Sequence, residues 1–213
     1  MALDITAHVN ALAERIHAAL LVQQRVMVAL AGAPGSGKST LAAELARRLR
    51  DQRVPTEVVP MDGFHLDNAV LDARGLRGRK GAPETFDAAG FLYAISRLRA
   101  GEEVVTPVFD RGREVAIAGA QVVPADCRAV ICEGSYLLYD QPPWAELYPL
   151  WDIRARLDVP LPDLRGRLIQ RWLTHGLSRA TATRRAEMND IPNAQRAAAH
   201  SLPPDLILIP KAL

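Results

Sequence analysis

The chain has 213 residues, of which 26 are Lys or Arg and 24 Asp or Glu, for a formal charge of +2, and 49% are hydrophobic. That length buries one substantial core, so a single domain over 1–213 is expected, and so balanced a charge argues against a surface built to coat nucleic acid or cling to an acidic membrane. Cys127 and Cys132 are the two cysteines, and Cys132 closes the apolar run "AVIC". They read as buried free thiols rather than a disulfide or metal site, which implies a reducing, cytoplasmic setting.

The opening stretch carries Leu12, Ile16 and Leu20 at helical spacing, interrupted by charges, so it predicts an amphipathic helix and not a signal peptide or membrane span. Residues 26–31 form a continuous apolar run typical of a buried parallel strand, and Leu41, Leu45 and Leu49 recur as on one helix face. Between them, Gly32, Ala33, Pro34, Gly35, Ser36, Gly37, Lys38 and Ser39 spell G-x-x-x-x-G-K-S, with Thr40 following. Such a loop wraps phosphates with backbone NH groups, while its lysine and hydroxyl reach the outer phosphate and Mg²⁺. Only Lys38, Lys80 and Lys211 are lysines in this arginine-rich chain. A compact, flexible point charge suits the phosphate loop better than a planar fork.

A second strand is expected over 56–59, ending at Pro60 and followed by Asp62, Gly63, Phe64 and His65. The glycine-, proline- and charge-rich stretch 70–87 reads as an ordered functional loop. Asp87 caps an expected helix over 88–99 that Gly101 ends, and "EVVTPVFDRGREVAIAGAQVV" predicts a hairpin-like excursion around "DRGR". A buried strand over 128–134, ending in Glu133 and a glycine, should lie beside the phosphate-loop strand. Then come a strand within 151–160, a helix over 163–176, a second helix over 178–190 and a final strand within 205–210. Alternating strands and helices imply an α/β fold with a mostly parallel sheet and helices on both faces.

No N-K-x-D guanine signature occurs. Phosphoryl transfer to a small hydroxyl compound instead needs a carboxylate to orient and deprotonate the attacking OH, with cations to hold the phosphate in line. Asp62, just past the second strand, is placed for the first role, since doubly wound sheets bind ligands at strand ends. Glu133 stands where the Mg²⁺-water acid of such proteins sits, and its longer arm suits contact through water or with substrate.

The segments "APGSGKST", "MDGFH", "LRGRKGAPETFD", "PVFDR" and "ICEGSYLL" occur in the order and approximate spacing of the P-loop kinases that include uridine kinase, phosphoribulokinase and bacterial pantothenate kinase, a resemblance covering most of the chain. "GLRGRKGAPETFD" looks most like pantothenate kinase. The short length and "RWLTHG...RRAEMNDIPNA" resemble bacterial nucleoside/nucleotide kinases labelled fructose-transport-associated. The resemblance implies Asp62 as base, Lys38 and Ser39 as phosphate and Mg²⁺ contacts, and Glu133 as second acid. It also implies a lid over 163–190 that brings Arg171 to the transferring phosphate, with Arg167 a turn earlier and Arg179 and Arg184 as weaker candidates. By the same resemblance Asn189 and Asn193, in "NDIPNA", border the adenine of ATP, although a helix stop at Pro192 fits that stretch nearly as well.

Acceptor contacts are expected from a substrate-side excursion over 62–122 and the loop after the 128–134 strand: Phe64, His65, Lys80, Asp110, Arg111, Glu133 and Tyr136. With aromatic residues at 5%, neither a base-stacking face nor an aromatic trough for a pantoyl chain is evident. The reading is an ATP- and Mg²⁺-dependent kinase acting on a hydroxyl of a small polar metabolite, sugar-like first, nucleoside or pantothenate-like second. The rival from another class is a nucleotide-binding regulatory protein that has lost turnover. Oligomeric state leaves no mark in the sequence.

Overall fold

The apolar run after Arg25 forms a strand because each of its side chains has a dry destination. Val26, Val28 and Leu30 enter one core while Met27, Ala29 and Ala31 enter another on the opposite face, as the two-residue period of a strand requires. The computed structural model describes residues 3–212, with side chains over 5–210. The elements in chain order are β1 (Leu3–Asp4), α1 (Thr6–Leu20), β2 (Val26–Gly32), α2 (Lys38–Asp51), β3 (Thr56–Pro60), α3 (Asn68–Ala73), α4 (Ala88–Arg99), β4 (Val104–Asp110), β5 (Val115–Val123) and β6 (Ala129–Gly134). They continue with β7 (Ile153–Leu157), α5 (Leu161–Thr174), α6 (Arg179–Arg185), α7 (Ile191–Ala199), β8 (Leu206–Leu208) and β9 (Lys211–Ala212).

Five parallel strands form the main sheet in the order β3-β6-β2-β7-β8. The strand ending in Glu133 does lie beside the phosphate-loop strand, with Leu30 opposite Glu133 and Ala31 opposite Gly134. α1 and α2 close one face through Leu12, Ile16, Leu41, Leu45 and Leu49, and α4 closes the other through Phe91, Ile95 and Leu98. This is the α/β P-loop architecture expected from the sequence. Ligands in such sheets bind at the carboxyl ends of the strands, where neighbours of the central strand run off to opposite sides.

The expected excursion around "DRGR" is a separate antiparallel pair, β4 with β5, whose register shifts between Thr106 and Val108. Residues 70–87 are ordered as expected, through the end of α3 and short 3₁₀ turns at Arg77–Arg79 and Pro83–Thr85. At the C-terminal side the outcome differs from a helix stop at Pro192. α6 runs into a π turn, Ala186–Asp190, and on into α7, with Pro192 in the first turn of that helix. Proline is tolerated there because the first NH groups of a helix have no intrahelical acceptor to lose. A third, smaller core joins α5, α6 and α7 through Leu164, Leu168, Trp172, Ala182, Ala186 and Ile191. Among the described residues no helix is long and apolar enough to cross a membrane.

Candidate active site

The loop between β2 and α2 has the shape its glycines allow. Gly35 and Gly37 take φ of +77° and +98°, a left-handed region that an L side chain enters at a cost. A Cβ on Gly32 would come within 3.0 Å of the Leu157 carbonyl oxygen. α2 then begins at Lys38, so its unpaired NH groups and positive dipole end face the loop. Lys38 Nζ stands 3.8 Å from Glu133 Oε2, and Ser39 Oγ donates to Glu133 Oε1 at 3.0 Å. The pairing of β2 with β6 makes this triangle, because it sets the end of β6 beside the start of α2. Arg167, reaching down from α5, donates to the Ser36 carbonyl at 3.2 Å and so ties that helix to the loop. Ser36 is fully buried, and among the described residues its hydroxyl has no hydrogen-bond partner.

Across the cleft from Lys38 lies Asp62, carried by the 3₁₀ turn Met61–Phe64 that follows β3. Arg111, from the tip of the β4–β5 hairpin, donates to Asp62 Oδ2 at 2.5 Å. Burial pushes the Asp62 carboxyl up, but Lys38, His65, Arg111 and Arg171 together hold it below the ordinary carboxylate value, so it is ionised. His65 bonds the Asp62 backbone carbonyl through Nδ1 at 2.8 Å and sits between Phe86 and Phe109, with ring centroids 4.1 and 4.7 Å away. Burial pushes its imidazole below the usual histidine value despite the nearby carboxylate. Lys80 donates to Asn68 Oδ1 at 2.8 Å and to the Glu114 carbonyl at 3.0 Å, with its ammonium 5.1 Å from the Phe109 ring. From α5, Arg171 joins the same cleft, where burial and then Arg111 lower its pKa.

Other residues singled out in the sequence stand elsewhere. Phe64 is buried and packs edge-on against Phe91 at 4.9 Å, so it belongs to the core. Asp110 turns the hairpin, its Oδ1 accepting from the NH groups of Gly112 and Arg113 at 2.9 and 3.0 Å. Tyr136 is fully buried, and its hydroxyl donates to the Gly81 carbonyl at 2.8 Å, so it props the loop beside the cleft without facing it. Asn189 donates to the Lys80 carbonyl and Asn193 to Asn189, which stitches the α6–α7 segment to that loop. Thr40 is exposed at the start of α2, and Arg184 lines a chamber beyond the cleft.

Three aromatic residues do line the cleft. Phe86, Phe109 and Trp172 come from three separate segments and reach the same cleft only on folding. Asp190 was also not singled out. It accepts from Trp172 Nε1 at 2.6 Å, and burial raises its pKa against the pull of that bond, of Arg171 and of Arg185. The one sequence signal for it is an acid directly before an Ile-Pro helix start.

A phosphate loop, an acid at the end of the adjacent strand and a second carboxylate opposite the loop lysine define a P-loop kinase. The family model for "Phosphoribulokinase / Uridine kinase family" matches residues 27–191, and the chain belongs to that family. It is 39% identical over 201 residues, covering 87% of this chain and 83% of the relative, to "Putative uridine kinase C227.14" of Schizosaccharomyces pombe. It is 32% identical over 153 residues to a pantothenate kinase of Leifsonia xyli, covering 70% of this chain and 48% of that longer protein. Among solved structures, one titled "putative fructose transport system kinase" from Silicibacter sp. TM1040 superposes with a TM-score of 0.86 at 52% identity, covering 92% of this chain and 98% of the other. The protein is an ATP-dependent small-molecule kinase.

Proposed function

We propose that the enzyme transfers the γ-phosphoryl group of ATP to a hydroxyl of a sugar or sugar-like acceptor bound between Asp62, His65, Lys80 and Arg111. The observation that carries this reading is one cleft in which an ionised Asp62 faces Lys38 and Arg171. The acceptor hydroxyl donates to Asp62 and displaces Arg111 from it. As the bond between the bridging oxygen and the γ-phosphorus breaks, a bond from the acceptor oxygen to phosphorus forms, the hydroxyl proton passes to Asp62 and ADP leaves with the bridging oxygen. A depressed pKa makes Asp62 a weak base in the ground state. In a loose transition state the proton moves late, so its main work is orientation. Lys38 and Arg171 bear on the charge spread over the transferring oxygens.

Ser39 Oγ and the Glu133 carboxylate, hard oxygen donors 3.0 Å apart beside the loop, suit Mg²⁺, which keeps most of its water and takes few protein ligands. When bound, the ion would neutralise charge on the outer phosphates. We assign residues 163–190 as a lid that closes on ATP, with Asn189 at its end and Asn193 in the helix after it as contacts near the nucleotide. Buried free thiols at Cys127 and Cys132 support a cytoplasmic setting.

Phe86, Phe109 and Trp172 favour one second reading, a ring-bearing acceptor such as a nucleoside. Against it, Phe86 and Phe109 already engage His65 at 4.1 and 4.7 Å. The kinase assignment of the loop is tested with Lys38→Ala, which should abolish ADP release with the melting temperature preserved. Retained ATP binding and turnover would refute the role given to Lys38. ADP release measured side by side with sugars, uridine and pantothenate decides the acceptor, and a clear preference for uridine would reject the sugar reading.

A further inference from the structure

The cleft holding Asp62 is small, about 90 Å³, and opens into a second chamber of about 710 Å³. Lys80, Arg111, Glu114, Trp172 and Arg185 line both, so a molecule with its hydroxyl at Asp62 extends into the outer space. The charges lining that outer chamber are lopsided: Arg77, Lys80, Arg111, Arg184 and Arg185 against the single acid Glu114. Three of the cations are already matched within the protein. Arg77 pairs with Asp72 at 2.8 Å, Lys80 with Glu114 at 3.6 Å, and Arg111 with Asp62. The two from α6 are not. Among the described residues neither Arg184 nor Arg185 forms a salt bridge; Asp190 feels the Arg185 charge from the inner cleft without bonding it, and the Arg185 guanidinium lies 4.0 Å from the Trp172 ring centroid, which orients it.

We infer that the acceptor carries an anionic group, a carboxylate or a phosphate monoester, remote from the hydroxyl that is phosphorylated, and that Arg184 and Arg185 of α6 bind it. Two guanidinium groups that no carboxylate of the described residues holds in a salt bridge supply the fork geometry that such oxyanions accept in pairs. α6 belongs to the segment that carries Arg171, so an acceptor lacking the anion forfeits both its grip and part of the drive to close the site. This inference rests on the proposed kinase reading and narrows its substrate class.

The test has two arms. In the first, the protein is saturated with ADP to fill the phosphate loop and titrated with inorganic phosphate while its melting temperature is followed. Phosphate should raise it in the wild type, fail to do so in the double variant Arg184→Gln/Arg185→Gln, and recover part of the rise in Arg184→Lys/Arg185→Lys. In the second, ADP release is measured with ribose, ribonate and ribose 5-phosphate. One of the two charged compounds should exceed ribose at least tenfold in kcat/KM, that advantage should fall at least tenfold in the glutamine variant, and which of the two leads distinguishes carboxylate from phosphate. Stabilisation by phosphate that survives in the glutamine variant, or ribose matching both charged compounds, would overturn the inference while leaving the kinase reading intact. Stabilisation lost in the variant, with no turnover of any of the three, would uphold the arginine site and reject the sugar-like acceptor.

Discussion

In the proposed reaction Asp62 has to be available to a hydroxyl, yet it is surrounded by cations and largely hidden, with 23% of its side chain exposed. The cations win over desolvation, and the sign of that outcome has a measurable consequence. The carboxylate is needed deprotonated, and its pKa lies below the ordinary value. Activity should therefore hold as the pH falls from 7.5 to about 5, and any loss due to Asp62 should appear only below the usual carboxylate range. A pH–rate profile whose acid limb is centred in or above that range and disappears in Asp62→Asn would contradict this. Asp62→Asn itself keeps size and removes charge, so kcat should drop by about 10² to 10⁴ with ATP affinity little changed. A loss confined to ATP affinity would move Asp62 from the acceptor to the metal.

At the level of elements, two close contacts hold the 3₁₀ turn after β3 in place. A Cβ on Gly63 would overlap the Pro107 carbonyl of β4, and one on Gly134 would lie 2.5 Å from Met61 Cβ. Gly63→Ala should cost about 1 to 3 kcal/mol and lower the melting temperature by roughly 2 to 12 °C, with kcat falling alongside because the turn carries Asp62. An unchanged melting temperature would show that β4 yields. The π turn at Ala186–Asp190 makes the opposite kind of prediction. Asp190 has a raised pKa, so between the ordinary and the raised value the folded state binds more protons than the unfolded one, and stability falls as pH rises through that window. Asp190→Asn keeps an acceptor for Trp172 and removes the buried charge. It should melt at or above the wild-type temperature at pH 7, with the gain shrinking at low pH, while kcat drops because Arg171 loses its countercharge. Thermal melts at pH 7 and 4 beside steady-state kinetics decide it, and a lower melting temperature at pH 7 would refute it.

On the scale of the molecule, the proposed lid has its own core, distinct from the two that flank the sheet. Such a unit can move as a body while the sheet stays still, with the Arg167 contact to Ser36 linking it to the phosphate loop. Trypsin has many arginine sites within 163–190, and cleavage there should slow severalfold when a non-hydrolysable ATP analogue and the acceptor are both bound. Equal rates with and without ligands would remove the closing motion.

Local signals were sufficient for the phosphate loop, the strand–loop–helix around it, the acid past the second strand and the order of strands and helices. Each depends on a short stretch whose backbone geometry or burial leaves few alternatives. Gly37 must turn left-handed, and residues 26–31 have no polar face to turn to water. The sequence by itself therefore determined an α/β P-loop kinase and singled out Lys38, Ser39, Asp62 and Glu133 as the chemical set proposed for it. Only the tertiary structure decided which side chains share a cleft, because that depends on contacts between segments far apart in the chain. It sent Phe64 and Tyr136 to the core and spent Asp110 on its own turn. It also brought Phe86, Phe109 and Trp172 to one cleft, paired Arg111 with Asp62 across 49 positions, and left Arg184 and Arg185 without a salt bridge among the described residues. A composition of 5% aromatic residues says nothing about where they meet, and the charge of an arginine does not reveal whether an acid elsewhere in the chain will be folded against it.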